Sequence, residues 1–358
     1  MASDVKYSRL PTNPDAEESL KPKNKKFAVP KITRLKVGGV VFVIIFVAVT
    51  IFISCIKSSH SQESVVCNLS NDKNVVISET EERTYGYDHV RLKHMKKKLP
   101  QCLIIGVRKA GTRALLKYLN IHPDVVAKGA ESHFFDDDEE YDKSLEYYRR
   151  EMPPSFDNQI TVEKTPAYFT EYEVPERVYR MNNSIKLLLI LREPVERLLS
   201  DYLQFKEGKI KQSKPFESFE NRVIDKNGNI NKSYKGISRS VYHKHLKHWT
   251  EDLFNLNQIF IIESTELVQK PAAVMARVED FLGLRHYIKP SHFYFNKTKG
   301  FYCIVQDDEP KCLAESKGRE HPQIDPALHK KLKDFYAPHN EKLFHMIGRD
   351  FGWNDDIY

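Results

Sequence analysis

Residues 106–113, GVRKAGTR, combine two glycines with three basic side chains and a threonine, a composition suited to binding an anion. Gly106 and Gly111 have the GxxxxG spacing of a nucleotide P-loop, but Lys109 lies inside the loop and Thr112 directly follows the second glycine. Backbone N–H groups of such a turn, together with the N-terminus of the following helix, would still hold a phosphate. Because the G-K-S/T metal ligand is missing, the loop favours a nucleotide whose transferred group needs less charge neutralisation, such as a sulfuryl group. An ordinary strand-to-helix turn is the alternative.

Arg192 and Ser200 form a second candidate anion site. Arg192 follows the apolar run of residues 185–191, and Ser200 lies eight residues further on, in a segment with helical apolar spacing. A guanidinium beside a hydroxyl group can bind a terminal phosphate through several hydrogen bonds. For Arg192 considered alone, a surface ion pair is the alternative.

Three predominantly apolar runs would position these side chains. Residues 101–105, 185–191 and 258–263 lack polar alternation, and helical apolar spacing follows each of them, at 112–119, 195–205 and 272–282. This arrangement predicts an α/β fold in which a P-loop-like parallel sheet is flanked by helices. Ligands of such sheets bind at the carboxyl ends of the strands, where the loop 106–113 and Arg192 are expected.

Residues 37–56 contain no charged side chain, and as a helix they match the ~30 Å hydrocarbon core of a bilayer. Seven Lys or Arg residues lie between positions 21 and 36 and only Lys57 follows closely, which predicts a cytosolic N-terminus. The predicted organisation is a cytosolic tail (1–36), a transmembrane signal anchor (37–56), a lumenal stem (57–98) and a catalytic domain (99–358). A cleaved signal peptide is the alternative, although the apolar stretch is long and begins late.

The cysteines and N-glycosylation sequons agree with a lumenal domain. Cys303 and Cys312 are close in sequence and are expected to form a disulfide in an oxidising compartment, with a zinc site as the rival interpretation. Sequons begin at Asn68, Asn182, Asn231 and Asn296. The net charge of +7 would attract polyanions of several kinds, among them nucleic acid, anionic lipid and sulfated glycan, without selecting one.

Six sequence blocks together resemble one enzyme family. The pairing of GVRKAGTRA with LLLILREPVERLLSDY resembles the two blocks with which sulfotransferases bind 3′-phosphoadenylyl sulfate (PAPS). AESHFFD (130–136), VEKTPAYF (162–169), FYFNKTKGFYC (293–303) and CLAESKGREHPQIDP (312–326) resemble the heparan sulfate glucosamine 3-O-sulfotransferases. The resemblance extends from about residue 100 to the C-terminus. It implies one domain of sulfotransferase fold, a Golgi membrane location, heparan sulfate as the partner in preference to nucleic acid, and no required metal.

Matching positions imply which residues hold PAPS. The 5′-phosphosulfate would be held by Arg108, Lys109, Ala110, Gly111, Thr112 and Arg113. The 3′-phosphate would be held by Arg192 and Ser200. The residues that would close over the cofactor are Tyr302, Lys317, Gly318 and Arg319.

Glu131 matches the family's catalytic base. A sugar hydroxyl is a poor nucleophile unless a carboxylate removes its proton. His133 would orient that carboxylate or the hydroxyl, and Lys109 and Lys164 would place positive charge around the transferred group. The positions that match glycan contacts are Lys164, Gln204, Arg239 and Lys317. Apart from the resemblance, Glu131 could be a solvated loop acid within an acidic stretch.

Two departures and three alternatives stay open. Ala110 stands where many relatives have glycine, and Ala314 stands where some relatives have histidine near the acceptor. A sulfotransferase with another glycan or protein acceptor is one alternative. A catalytically inactive, membrane-anchored heparin-binding protein is a second, and a kinase is a third, disfavoured by the lysine placement.

Overall fold

The computed structural model describes residues 95–306, 309–313 and 322–355. Its strands are β1 (Lys96–Lys97), β2 (Cys102–Gly106), β3 (Val125–Ala127), β4 (Pro154–Ser155), β5 (Ile160–Lys164), β6 (Lys186–Leu191), β7 (Ile259–Glu263), β8 (Phe293–Asn296), β9 (Phe301–Gln306) and β10 (Glu309–Lys311). Its α-helices are α1 (Thr112–Leu119), α2 (Asp138–Tyr141), α3 (Ser144–Glu151), α4 (Val174–Met181), α5 (Pro194–Lys211), α6 (Phe219–Val223), α7 (Lys235–Ser238), α8 (Tyr242–Thr250), α9 (Ser264–Gln269), α10 (Pro271–Leu282) and α11 (Pro326–Ile347).

The central sheet has five parallel strands in the order β3-β5-β2-β6-β7. β2 is the central strand and pairs with β6, where Leu103 lies beside Leu187 and both side chains are fully buried. Strands covered on both faces carry apolar residues without alternation, which is the pattern of residues 102–106 and 187–191. The predicted parallel sheet flanked by helices is therefore confirmed.

The carboxyl ends of all five strands meet at one edge of this sheet because the strands are parallel. The strands end at Ala127, Lys164, Gly106, Leu191 and Glu263, in sheet order. Lys164 is itself one of these ends, and the segments that follow the other strands carry Glu131, the loop 107–111, Arg192 and Ser264. The topology thus collects the predicted chemistry at one edge.

Helix α5 is longer than the predicted segment 195–205. It begins at Pro194, where the Glu193 carboxylate caps the helix by accepting the Glu196 N–H at 2.7 Å, and it continues to Lys211. Its last two turns are rich in lysine and contribute few apolar side chains, so the hydrophobic pattern underestimated its length.

A smaller antiparallel sheet, in the order β10-β9-β8, lies beyond the central one in the chain. The predicted disulfide between Cys303 and Cys312 is present, and it joins β9 to the residue after β10. Because both sulfurs are used in this bond, they form no zinc site. The bond closes a short loop across the hairpin.

The double variant Cys303→Ser/Cys312→Ser is expected to unfold about 2–3 kcal/mol more easily, because the disulfide restricts the unfolded chain. Urea unfolding of the full-length chain, followed by circular dichroism, measures this difference. Dithiothreitol should lower the urea midpoint of the wild type to that of the double variant and leave the variant unchanged. An unchanged wild-type midpoint under reducing conditions would contradict a stabilising role for the bond.

The predicted tail, transmembrane anchor and most of the stem lie outside the described residues, as does the sequon at Asn68. Among the described residues, no helix combines the length and the hydropathy needed to cross a bilayer. The other sequons lie on the domain. Asn182 follows α4, the Asn231 side-chain amide donates to Arg222 O at 3.0 Å, and Asn296 Nδ2 lies 3.7 Å from Cys312 Sγ. Their glycosylation stays a prediction.

Candidate active site

The loop after β2 is held in place by backbone and side-chain hydrogen bonds. Val107 N–H donates to Ile190 O at 2.8 Å, and Ser264 Oγ donates to Ala110 O at 2.8 Å. The positive φ angles of the turn occur at Lys109 (73°) and Gly111 (111°), while Ala110 keeps an ordinary backbone conformation. Alanine at position 110 therefore preserves the turn, because the left-handed positions lie on either side of it.

A cavity of about 660 Å³ opens at the carboxyl edge of the sheet. The predicted site residues that line it are Arg108, Lys109, Ala110, Gly111, Thr112, Arg113, Glu131, Lys164, Arg192, Ser200 and Gln204. Its cationic side chains are Arg108, Lys109, Arg113, Lys164, Arg192 and Lys299, whereas Glu131 is the one carboxylate among the described lining residues. This excess of positive charge suits a ligand with several phosphate or sulfate groups.

Glu131 contacts two of its predicted partners. One of its carboxylate oxygens accepts a hydrogen bond from the ammonium group of Lys164, which is 1% exposed, and the other lies 3.5 Å from His133 Nε2. His133 Nδ1 in turn lies 2.9 Å from an Asp136 carboxylate oxygen. The sequence-predicted base, its orienting histidine and a lysine are thus brought together.

The electrostatics around Glu131 favour its ionised form. Partial burial works against the charge, but the hydrogen bond and charge of Lys164, with the charges of His133 and Arg113, lower the pKa of Glu131 below its ordinary value. The carboxylate is therefore deprotonated and able to accept a proton at neutral pH.

Arg192 has both of the interactions considered from sequence. Its side chain lines the cavity, and its Nη2 also forms an ion pair with Glu196 at 3.1 Å. The Arg192 carbonyl accepts a hydrogen bond from Tyr242 OH at 2.7 Å, which fixes the end of β6. Lys109 Nζ donates to Gln204 Oε1 at 3.0 Å, and both residues line the cavity. Predicted donor-side and glycan-side residues therefore share one cavity.

Asp201, one residue after Ser200, is a functional candidate that the sequence did not reveal. Its carboxylate is 7% exposed and lies 3.2 Å from Arg197 Nη1, 3.6 Å from Arg239 Nη1 and 3.8 Å from Arg108 Nη2. Burial opposes its charge, but the three arginines lower the pKa of Asp201 below its ordinary value. This carboxylate links Arg108, on the donor loop, to Arg239, a predicted glycan contact.

The cavity also has lining residues for which the sequence predicted no role. Ser264, Thr265, Leu267 and Val268 follow β7, and Lys299, Gly300 and Phe301 precede or begin β9. The first group could have been found from the expectation that ligands contact the ends of every strand. The second group lies within the block 293–303 that carries the family resemblance, but the resemblance assigned no role to these three residues.

Tyr302, a predicted donor contact, is not itself among the described residues that line the cavity. The chain beside Tyr302 lines the cavity at Phe301, but the Tyr302 ring packs on Phe295 with a centroid distance of 5.1 Å. Its carbonyl accepts a hydrogen bond from Tyr118 OH, a lining residue, at 2.8 Å. Residues 317–319 lie outside the described residues, as does Ala314. The roles of these positions stay predictions.

Known proteins resemble this chain in sequence and in fold. The sulfotransferase domain family matches residues 99–346. Heparan sulfate glucosamine 3-O-sulfotransferase 5 of Mus musculus is 44% identical over 297 residues, 82% of this chain and 86% of that protein. Heparan sulfate glucosamine 3-O-sulfotransferase 5 of Homo sapiens is 47% identical over 268 residues, 74% of this chain and 77% of that protein. The solved structure of a sulfotransferase from Alicyclobacillus acidocaldarius shares the fold, with 21% identity, a TM-score of 0.53 and coverage of 72% of this chain and 100% of that one.

The matched region contains the central sheet and the cavity at its carboxyl edge. It also contains the donor loop and Glu131, which the sequence resemblance had placed in the same family. By sequence identity over most of its length, the chain belongs to the heparan sulfate glucosamine 3-O-sulfotransferases, within the sulfotransferase domain family.

Proposed function

We propose that this protein transfers the sulfuryl group of PAPS to the 3-hydroxyl of glucosamine residues in heparan sulfate. The observation that carries the proposal is that Glu131 and the loop 108–113 line the same cavity. The relatives are named for this activity, and the residues of the site support both halves of it. One half is a set of cations for the donor, and the other is a carboxylate for the acceptor hydroxyl.

The donor side fits PAPS in charge and in hydrogen-bonding capacity. The sulfotransferase family uses PAPS, which when bound supplies an electrophilic sulfuryl group attached to a phosphate leaving group. Arg108, Lys109 and Arg113 would hold the phosphosulfate end, and Arg192 with Ser200 would hold the 3′-phosphate. Arg108 Nε is buried and has no hydrogen-bond partner among the described residues, which leaves a donor for an anionic ligand.

The acceptor side of the site would remove the hydroxyl proton and stabilise the negative charge that develops in the reaction. Glu131 is deprotonated and would accept the proton of the sugar hydroxyl at its carboxylate as the oxygen attacks. His133, held by Asp136, keeps that carboxylate oriented. Lys164 lies against Glu131 and Lys109 lines the same cavity, so both would supply positive charge where negative charge develops.

The location of the enzyme is part of the same proposal. Residues 37–56 would anchor the chain in the Golgi membrane as a single-pass type II protein with its catalytic domain in the lumen. The Cys303–Cys312 disulfide supports this proposal, because such bonds persist in oxidising compartments. The apolar anchor and the sequons are consistent with it.

Incubation of the full-length chain with PAPS and heparan sulfate, followed by disaccharide analysis, tests the activity. The expected product contains 3-O-sulfated glucosamine and forms equally well in EDTA. Sulfate at another position, or on protein tyrosine, would identify another acceptor. Heparin binding without turnover would support the inactive-protein alternative, and transfer from Mg²⁺-ATP in place of PAPS would support a kinase.

A further inference from the structure

Buried polar side chains that do not line the cavity hold the backbone of the segment that carries Glu131. Ser132 N–H donates to Thr165 Oγ1 at 3.1 Å and His133 N–H donates to the same oxygen at 3.4 Å. The next N–H, of Phe134, donates to Tyr168 OH at 3.2 Å. Three consecutive backbone donors are therefore bound by side chains of residues 165–168.

A buried carboxylate organises this set. Glu163, which is fully buried, accepts a hydrogen bond from Thr165 Oγ1 at 2.6 Å through Oε1. The same oxygen lies 3.3 Å from Ser132 N, and Oε2 accepts from Tyr148 OH at 3.2 Å. Since the Thr165 hydrogen points to Glu163, the Thr165 oxygen presents its lone pairs to the two N–H groups. Glu163 thus sets the direction of the hydrogen bonds at Thr165.

Glu163 and Lys164 divide two tasks between opposite faces of β5. Successive side chains of a strand point to opposite sides of the sheet. Lys164 lines the cavity and contacts Glu131, whereas Glu163 contacts Tyr148 of α3 and the backbone of the Glu131 segment. The end of β5 therefore holds both the side chain of Glu131, through Lys164, and the backbone that follows Glu131, through Glu163.

The conformation of this segment requires support. His133 has a φ of 51°, in the left-handed region that non-glycine residues rarely adopt. Such a conformation persists only where neighbouring contacts determine it. The hydrogen bond of His133 N–H to Thr165 supplies one of those contacts, and the Asp136 contact of the imidazole supplies another.

We infer that Glu163 and Thr165 form a positioning pair that fixes the Glu131-Ser132-His133 segment in the orientation needed for proton removal. This inference rests on the proposed function, because it assigns the pair to the acceptor half of that reaction. Neither Glu163 nor Thr165 is among the described residues that line the cavity, and the donor loop is among them. The pair therefore acts on turnover and leaves donor binding unchanged.

The Thr165→Val variant of the full-length chain tests the pair. It preserves the shape of the side chain and leaves His133 N–H without its acceptor. The kcat for heparan sulfate should fall on the order of 100-fold, the effect of a displacement of about 1 Å at a reacting group. The KM for PAPS should stay within twofold, and Thr165→Ser, which keeps the hydroxyl, should recover most of the lost rate.

Thr161→Val is the matched control. Thr161 lies on β5, just before Thr165 in the chain, and is equally buried, and its hydroxyl pairs with Ser155 Oγ at 3.0 Å, away from the Glu131 segment. Hydrogen exchange gives a readout independent of activity: the amides of residues 132–134 should exchange about tenfold faster in Thr165→Val and at the wild-type rate in Thr161→Val. The acidic limb of kcat should also move to higher pH in Thr165→Val, since a released Glu131 loses its contact with Lys164.

Two outcomes would overturn the inference. One is that Thr165→Val has the amide exchange rates and the kcat of the wild type. The other is that Thr161→Val loses as much kcat as Thr165→Val. If Thr165→Val fails to fold, Tyr168→Phe decides, because it removes the hydroxyl that binds Phe134 N–H and interacts with Thr165, and it should show the same changes to a smaller degree. Absence of 3-O-sulfated product from the wild type would instead contradict the proposed function, while the exchange rates would still report on the pair.

Discussion

Replacement of Glu131 by glutamine is expected to lower kcat about 10³-fold while the affinity for the donor product PAP changes less than threefold. General base catalysis contributes roughly 10²–10⁴ to a rate, and the amide cannot accept the hydroxyl proton. The donor residues on the loop 108–113 and at Arg192 are unaltered by this change. Steady-state sulfation of heparan sulfate and calorimetric titration with PAP measure the two quantities.

The pH dependence of the wild type provides a second measure of the same group. Because the pKa of Glu131 is lowered, the base stays ionised and kcat/KM should hold its value as the pH falls through the ordinary carboxyl range near 4.3. The acidic limb should lie below that range in the wild type and disappear from the residual rate of Glu131→Gln.

Glu139→Gln is the matched control for this prediction. Glu139 belongs to the same acidic stretch but is exposed in the first turn of α2. Its loss should leave kcat within twofold of the wild type. Equal activity of the Glu131 and Glu139 variants would contradict the role of Glu131 as the base and support the alternative that it is a solvated loop acid.

The central strands could be predicted because hydrophobic burial determines them. The side chains of residues 102–105 and 187–191 are buried on both faces of the sheet, and that environment produces uninterrupted apolar runs. β3 and β5 gave no such signal. β3 has three residues, and β5 contains Thr161, Glu163 and Lys164, whose polar groups are buried in side-chain hydrogen bonds and ion contacts.

The residues that would bind the donor were easier to predict from sequence than the residues that hold the site in place. The loop 106–113 is contiguous, so its glycines and basic residues could be recognised as an anion site without knowledge of the fold. The contacts of Thr165 with residues 132–133, and of Asp201 with Arg239, join segments that are distant in the chain. No local pattern indicates such contacts, because they depend on how the strand ends are arranged in space.

Replacement of Asp201 by asparagine is expected to be the most destabilising single change near the cavity. Arg197 is fully buried and donates to Ser240 Oγ, Gly236 O and Asp201, and the carboxylate is the only negative charge among these partners. Removal of one member of a buried ion pair leaves an uncompensated charge and costs about 3 kcal/mol or more. Urea unfolding at pH 7 measures this loss.

The same variant should weaken donor binding, because Asp201 also lies beside Arg108. Without the carboxylate, Arg108 loses an orienting partner and the KM for PAPS should rise roughly tenfold, as for loss of about one charge-assisted hydrogen bond. Asp334→Asn is the matched control: Asp334 forms an exposed pair with Lys330 at 3.2 Å, and exposed pairs contribute little.

The pH dependence of unfolding distinguishes a charge effect from a packing effect at Asp201. Its native pKa is lowered, so its contribution to stability is complete above the unfolded-state pKa of about 3.9 and is lost as the pH falls through the lower native pKa. The difference in unfolding free energy between wild type and Asp201→Asn should therefore be constant from pH 7 to pH 5 and shrink near pH 3.5. A difference that stays constant at pH 3.5 would mean that Asp201 stabilises the fold by its shape and hydrogen bonds, and that its charge does not hold the three arginines.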